Sequence, residues 1–263
     1  MIFAAGLGTR LRPLTDKMPK ALVPLAGKTL LQWQIDRLRA VGISDIVVNV
    51  HHLPDMIIDA VRQNQGWGCR VQISDERDAL LETGGGLRKA RTLLEGDEPI
   101  LVCNVDILSN IDLAALIKAY DPATMGLLVV SPRETQRYLL FDQDNRLRGW
   151  TNKATGEVKP SSLQGEGLCP IGGPVDVHRT SRGRLSSLTP LAFSGMQILS
   201  PRIFDRMDRV VADKGERFSL IDLYLSICGE EVLKAYVPAD YRMMDVGKID
   251  QIDEAERFAQ ALE

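Results

Sequence analysis

Met1-Ile2-Phe3-Ala4-Ala5-Gly6-Leu7-Gly8-Thr9-Arg10-Leu11-Arg12-Pro13-Leu14-Thr15, with Pro19-Lys20-Ala21-Leu22 close behind, opens the chain. Residues 1–5 form a short apolar run with strand character. The run feeds a glycine-containing turn that carries two arginines, and a lysine follows. Small residues let backbone N–H groups approach an oxyanion closely, and the cations neutralise its charge. The opening predicts a phosphate site of the kind that receives a nucleoside triphosphate.

Two common phosphate motifs do not fit. A dinucleotide fingerprint needs a third glycine where Leu11 stands, and Pro13 blocks an early helix. Its second strand should end in an acid, whereas residues 45–50 end in Asn49 and Val50. A Walker A loop needs Gly-Lys-Ser/Thr after four spacers, and none is present.

The rest of the chain bounds the function. At 263 residues and 44% hydrophobic content it is long enough for one large packed domain. The net charge of −3 argues against general nucleic-acid binding. Residues 1–28 carry Arg10, Arg12, Lys17, Lys20 and Lys28 against Asp16 alone. A basic opening on an acidic chain suits a local anion site. No apolar run approaches the ~20 residues of a membrane span, and no leader pattern precedes the first strand. The expected location is the cytoplasm. Cys69, Cys103, Cys169 and Cys228 lack metal-ligand spacing and read as reduced, buried thiols.

Strand-like runs at 1–5, 45–50, 70–74, 99–104 and 125–130 alternate with helix-period segments at 29–41, 54–64, 86–94 and 112–120. That alternation predicts an α/β fold: a Rossmann-like, mostly parallel central sheet flanked by helices. The pattern changes after residue 130. A hairpin is expected at 137–150, turning at Gln143-Asp144-Asn145. Residues 151–190 are rich in Gly, Pro and Ser and read as an irregular insertion. Beyond it come a strand at 191–199, helices at 201–207 and 217–228, strands at 232–237 and 241–246, and a last helix at 249–262. The expected organisation is one domain. Residues 1–130 form the half that carries the phosphate loop, 131–246 a β-rich half, and 247–263 a C-terminal helix; the resemblance described below makes the first two the nucleotide-binding and sugar-binding halves.

Two further clusters stand where such a sheet places ligands. Leu81-Glu82-Thr83-Gly84-Gly85-Gly86 follows a strand, and consecutive glycines there suggest close backbone approach to a base or sugar. Val102-Cys103-Asn104-Val105-Asp106 is an apolar strand ending in an acid. A carboxylate at a strand's carboxyl end can hold Mg²⁺ against phosphate oxygens. His51 and His52 read as an ordinary polar loop pair, and Trp33, Trp67 and Trp150 as packing residues.

The opening is similar to the signature of the sugar-1-phosphate nucleotidyltransferase (sugar-nucleotide pyrophosphorylase) superfamily. That signature runs Gly-x-Gly-Thr-Arg-(Leu/Met)-x-Pro-Leu-Thr and then Pro-Lys-(Ala/Pro)-Leu. The resemblance extends over nearly the whole chain except the insertion. It implies an enzyme joining a sugar 1-phosphate to an NTP, with release of pyrophosphate and Mg²⁺ as cofactor. Arg10 and Lys20 would be catalytic. Ala4, Ala5, Gly6, Leu7, Gly8, Thr9 and Arg10, with Glu82, Thr83, Gly84 and Gly85, would hold the nucleotide.

Tyr241-Arg242-Met243-Met244-Asp245-Val246-Gly247 resembles the family's Asp-(Val/Ile)-Gly segment, which makes Asp245 the second metal ligand beside Asp106. The sugar would meet Asn104, Ser194 and Gly195. Asn152 and Lys153 would stand in for the family's absent Glu-Lys-Pro. Where the family shows glycine before its first metal acid, this chain has Val105.

Leu-Glu-Thr-Gly-Gly-Gly and Phe193-Ser194-Gly195 look most like the N-acetylmuramate 1-phosphate uridylyltransferases, so UTP is the favoured nucleotide. A mannose- or heptose-1-phosphate guanylyltransferase, a glucose-1-phosphate thymidylyl- or uridylyltransferase, and a non-catalytic sugar-nucleotide sensor stay open. The partners expected are the NTP and the sugar 1-phosphate, with no nucleic acid and no membrane, in a monomer or homodimer.

Overall fold

A computed structural model describes residues 1–164 and 188–262. In chain order the elements begin with β1 (Ile2–Phe3), β2 (Pro24–Leu25), β3 (Lys28–Thr29), α1 (Leu30–Ala40), β4 (Asp45–Val50), α2 (Pro54–Gln63) and β5 (Arg70–Asp75). Next are α3 (Glu82–Lys89), β6 (Ile100–Asn104), β7 (Ile107–Ser109), α4 (Leu113–Ala119), β8 (Gly126–Ser131), β9 (Arg137–Phe141), β10 (Leu147–Asn152) and β11 (Glu157–Lys159). After the undescribed stretch come β12 (Thr189–Leu199), α5 (Ile203–Lys214), α6 (Leu220–Ile227), β13 (Leu233–Tyr236), β14 (Met243–Asp245) and α7 (Ile252–Gln260).

The main sheet runs β5-β4-β1-β6-β12, with β8 and β13 continuing from β12. The pairs β5·β4, β4·β1, β1·β6 and β8·β13 are parallel, and β12 enters antiparallel between β6 and β8. The strands alternate apolar side chains between two faces because successive Cβ atoms point oppositely. Ile2, Val48 and Cys103 pack into one core, and Met1, Phe3, Val47 and Val102 into the other. Burial on both faces explains why the central strands carry continuous apolar runs.

Local chemistry starts the helices. Thr29 caps α1 by accepting the Gln32 N–H at 3.1 Å, and Asp112 caps α4 through the Ala115 N–H at 2.9 Å. Ser219 and Asp222 form a reciprocal capping box at the start of α6. The β12 strand joins the expected halves. Its first residues pair with β9 and its last with β6 and β8, so the β9-β10-β11 meander grows out of the main sheet. At the far end α7 buries Ala255 and Ala259, and Glu256 accepts the Ala26 N–H at 2.8 Å.

Several expectations need correction. The segment at 151–164 is not irregular throughout: β10 reaches Asn152, and β11 returns at Glu157–Lys159. The remainder of the expected insertion, 165–187, lies outside the described residues. The helix expected at 86–94 begins earlier, at Glu82, and ends at Lys89, followed by a 3₁₀ turn at Arg91–Leu93. Gly84, Gly85 and Gly86 therefore sit inside a helix, where intrinsic propensity disfavours them.

Packing overrides propensity there. A Cβ on Gly84 would lie 2.4 Å from the Phe218 ring. One on Gly85 would lie 2.2 Å from the Glu216 carbonyl, and one on Gly86 2.6 Å from the Glu76 carboxylate. The N–H groups of Gly84 and Gly85 both donate to the Phe218 carbonyl. The triple glycine lets α3 lie against the 216–218 backbone.

The Gly85→Ala substitution should therefore cost about 1–3 kcal/mol as an overpacking defect. Thermal unfolding should show a Tm lowered by about 2–10 °C for a chain of this size. An unchanged Tm would mean that this contact is loose.

Candidate active site

The parallel strands β1, β4 and β6 end level with one another. Phe3 is in register with Asn49 on one side and Asn104 on the other. Their carboxyl ends open into a cleft of about 380 Å³, and its walls include Ala4, Ala5, Gly6, Lys20, Glu82, Thr83 and Asp106. A second cleft, about 310 Å³, is lined by Asn104, Ile107, Arg133, Phe193, Ser194, Gly195, Met243 and Asp245. Asn104 borders both, so the two clefts meet beside the strand that delivers Asp106.

Two carboxylates distant in sequence come together through a three-residue ladder. β14 pairs antiparallel with β7, placing Asp245 opposite Ile107, and the Val246 N–H donates to the Asp106 carbonyl at 2.9 Å. From α1, the buried Gln34 amide donates to the carbonyls of Ile107 at 2.7 Å and Val105 at 3.4 Å. Both residues flanking Asp106 are thereby fixed from below. Val105 itself is buried in the core and donates its N–H to the Phe3 carbonyl.

The cations from the opening loop meet these acids. The Lys20 ammonium donates to the Asp106 carboxylate and lies 4.0 Å from Asp245 Oδ1. The Arg10 guanidinium lies 3.6 Å from Asp245 Oδ2. Lys20 is buried, with its side chain 10% exposed, whereas that of Arg10 is 58% exposed. Gly247 makes room for this arrangement: a Cβ there would stand 2.7 Å from Arg10 Nη2 and 2.6 Å from Asp245 Oδ1. Close approach of a guanidinium to backbone gives the glycine of the Asp-Val-Gly segment its physical reason.

The loops that wall the first cleft are tied down by a buried polar network that the sequence reading missed. Asn49 accepts the Ala4 N–H at 2.7 Å and donates to Glu76 Oε1 at 2.7 Å. Glu76 is fully buried, and its other oxygen faces the Leu81 N–H at 3.4 Å. Burial raises the Glu76 carboxyl above its ordinary range, although the bonds from Asn49 and Leu81 and the charges of Lys89 and His51 pull the other way. His51 donates to the Glu76 carbonyl and His52 to the Thr15 carbonyl, in keeping with a polar loop pair. Thr83 Oγ1 accepts the Leu220 N–H at 2.9 Å, and Glu82 pairs with Arg217 at 3.1 Å, fastening the same wall to α6.

The remaining predicted residues divide. Ser194 and Gly195 line the second cleft at a bulge in β12, where Gly195 takes φ +70° and a Cβ would stand 2.9 Å from Asn104 Nδ2. Gly84 and Gly85 border neither cleft, and their smallness serves α3 packing. Nor do Asn152 and Lys153: Asn152 accepts the Ala154 N–H in a turn, and Lys153 is exposed beyond β10. Leu7, Gly8, Thr9 and Arg10 belong to the loop after β1 but border neither cleft, Arg10 joining the site through Asp245. Arg133 and Ser219 line the clefts and carry no signal in the sequence analysis.

Cys69, Cys103 and Cys228 are free and buried, and burial pushes their thiols up, as expected of inert cysteines. Cys169 lies outside the described residues. Among the described residues no cluster of three or more His, Cys, Asp or Glu is poised for a metal, and no helix is long and apolar enough to cross a membrane.

Known proteins agree with this architecture. The profile of the nucleotidyl transferase family matches residues 1–261. An N-acetylmuramate alpha-1-phosphate uridylyltransferase of Caulobacter vibrioides is 38% identical over 182 residues, covering 64% of this chain and 74% of the relative. The protein of that name from Neisseria meningitidis is 44% identical over 115 residues, covering 44% of this chain and about half, 49%, of the relative. The fold is shared with a putative glucose-1-phosphate thymidylyltransferase from Bacillus anthracis. The TM-score is 0.74 at 15% identity, covering 98% of this chain and 94% of the other.

The Glu76 network yields a pH prediction. A carboxyl whose folded pKa is raised contributes stability that is fully present below its unfolded pKa and lost as pH rises through the folded one. A Glu76→Gln variant lacks that loss. Its Tm relative to the unaltered protein should therefore rise steadily from about pH 4.5 towards neutrality. A pH-independent Tm difference would show that Glu76 is not perturbed by burial.

Proposed function

The chain belongs to the nucleotidyl transferase family, and from that premise we propose that it joins N-acetylmuramate 1-phosphate to UTP with release of pyrophosphate. The observation that supports this best is the ion-pair cluster joining Lys20 and Asp106 of the first cleft to Asp245 of the second, with Arg10 reaching Asp245 from the opening loop. The uracil nucleotide takes the first cleft, with the loop after β1 and residues 82–83 around it. The sugar takes the second, against Asn104, Ser194 and Gly195. The sugar and base follow the names of the muramate relatives.

The chemistry needs no general base. A phosphate monoester has a second pKa near ~6, so a sugar 1-phosphate is already a dianionic nucleophile at neutral pH. One of its oxygens attacks the α-phosphorus, the bond from that phosphorus to the bridging oxygen breaks, and pyrophosphate leaves with the electron pair. No proton need move. The barrier is repulsion between polyanions and the loss of in-line alignment. Lys20, held in place by burial, supplies charge between the reacting phosphates, and Arg10, paired with Asp245, supplies it to the leaving group.

Asp106 and Asp245 fit a divalent cation, with Mg²⁺ as the expected metal. They form an adjacent carboxylate pair with an ammonium already between them, and Mg²⁺ sites commonly combine one or two carboxylates with substrate phosphates. When bound there, the cation supplies charge compensation to the phosphates.

Purified protein with UTP, N-acetylmuramate 1-phosphate and MgCl₂ should release pyrophosphate and form the nucleotide sugar. The Asp106→Asn variant should lose about 10²–10³-fold in kcat, the usual cost of removing one preorganised charge, while still binding UTP. Absence of pyrophosphate release across all nucleoside triphosphates and a panel of sugar 1-phosphates would overturn the proposal.

A further inference from the structure

The second cleft holds one cation among its described lining residues, Arg133, just beyond β8. Arg133 is exposed, and among the described residues its one hydrogen bond runs from Nη2 to the Phe193 carbonyl at 3.0 Å. That bond fixes one edge of the guanidinium to β12, immediately before the Ser194–Gly195 bulge. The cleft's one acid, Asp245, is already engaged by Arg10 and Lys20. The cleft thus carries a positive group that its own residues do not neutralise. Arg133 borders this cleft but not the nucleotide cleft.

We infer that Arg133 is a specificity residue that reads a carboxylate on the sugar, selecting an acidic sugar 1-phosphate over its neutral counterpart. The inference rests on the assignment of the second cleft to the sugar. A guanidinium presents a planar fork of N–H donors that matches a carboxylate bidentately, and it keeps its charge at every physiological pH. With one edge held by Phe193, the fork loses less freedom on binding than an untethered arginine would. A neutral hexose offers hydroxyls, which a polar side chain serves without the cost of desolvating a cation. N-acetylmuramate differs from N-acetylglucosamine by a lactyl ether that ends in a carboxylate. The two 1-phosphates therefore form a matched pair of probes.

The test compares kcat/KM for N-acetylmuramate 1-phosphate with that for N-acetylglucosamine 1-phosphate, under UTP and Mg²⁺. The two substrates are run on the unaltered protein and on Arg133→Met and Arg133→Lys. The unaltered protein should prefer the acidic sugar. Arg133→Met should reduce that preference by about 10- to 100-fold, the range of a lost charge-assisted bond, and Arg133→Lys should restore part of it.

Equal losses on both sugars would overturn the inference, because they would mark Arg133 as a brace for β12. An unchanged ratio, or no preference in the unaltered protein, would overturn it while leaving nucleotidyl transfer standing. Where no pair turns over at all, the transfer proposal falls. Calorimetric binding of the two sugar 1-phosphates then tests Arg133 by itself: equal affinities, or a difference that survives Arg133→Met, refute it.

Discussion

The site depends on the short antiparallel contact between β7 and β14. Three paired residues bring Asp245 beside Asp106, and the bond from Val246 N–H to the Asp106 carbonyl sets the distance between the two carboxylates. Like charges so placed repel, and the fold offsets this with one buried and one exposed cation from the opening loop. Two unit charges 4 Å apart interact by about 4 kcal/mol at an effective dielectric near 20, so such a cluster persists only if it is balanced. Each partner comes from a separate part of the chain. The cluster therefore reports that the opening loop, β6–β7 and β14 are all in place.

Around this cluster the fold spends its buried polar groups on fixing loops. Asn49 and Glu76 link the backbone after β1 to the turn before α3, and Gln34 braces both residues beside Asp106. Buried polar groups persist when their hydrogen bonds are satisfied, and satisfied networks confer rigidity. Rigid positioning is what in-line phosphoryl chemistry requires, since little covalent work falls to the protein. The three glycines of α3 act to the same end by letting the helix lie against the 216–218 backbone.

What could be read from the sequence follows the range of each signal. Arg10 and Lys20 belong to one contiguous motif, and the alternating α/β pattern is local, so the sheet and the cationic loop were legible. The meeting of Asp106 with Asp245 was accessible through family resemblance alone, because a three-residue strand leaves almost no periodicity to detect. Asn49 and Glu76 look like ordinary polar strand ends until β4 and β5 are set side by side. Gly84–Gly86 misled because helix propensity argues against glycine while close packing demands it. Asn152 and Lys153 rest on a position in sequence, and at the end of β10 they line neither cleft. Arg133 follows a buried strand with no flanking pattern, and its place in a cleft emerges when β8 pairs with β12.

Differences in burial assign the two cations different parts. The Lys20–Asp106 pair is shielded, its side chains 10% and 22% exposed, so separating it without replacing a partner would leave a charge poorly solvated. The Arg10–Asp245 pair is open, at 58% and 46% exposed, and pairs of that kind contribute little. Under the proposed reading, Arg10 can thus change partners at small cost on meeting a phosphate, whereas Lys20 stays where Asp106 and the protein interior hold it. Taken together the four groups sum to zero charge, so the resting cluster offers a triphosphate no net attraction of its own. On the same reading, a divalent cation at Asp106 and Asp245 is what would supply the positive charge that this balance lacks.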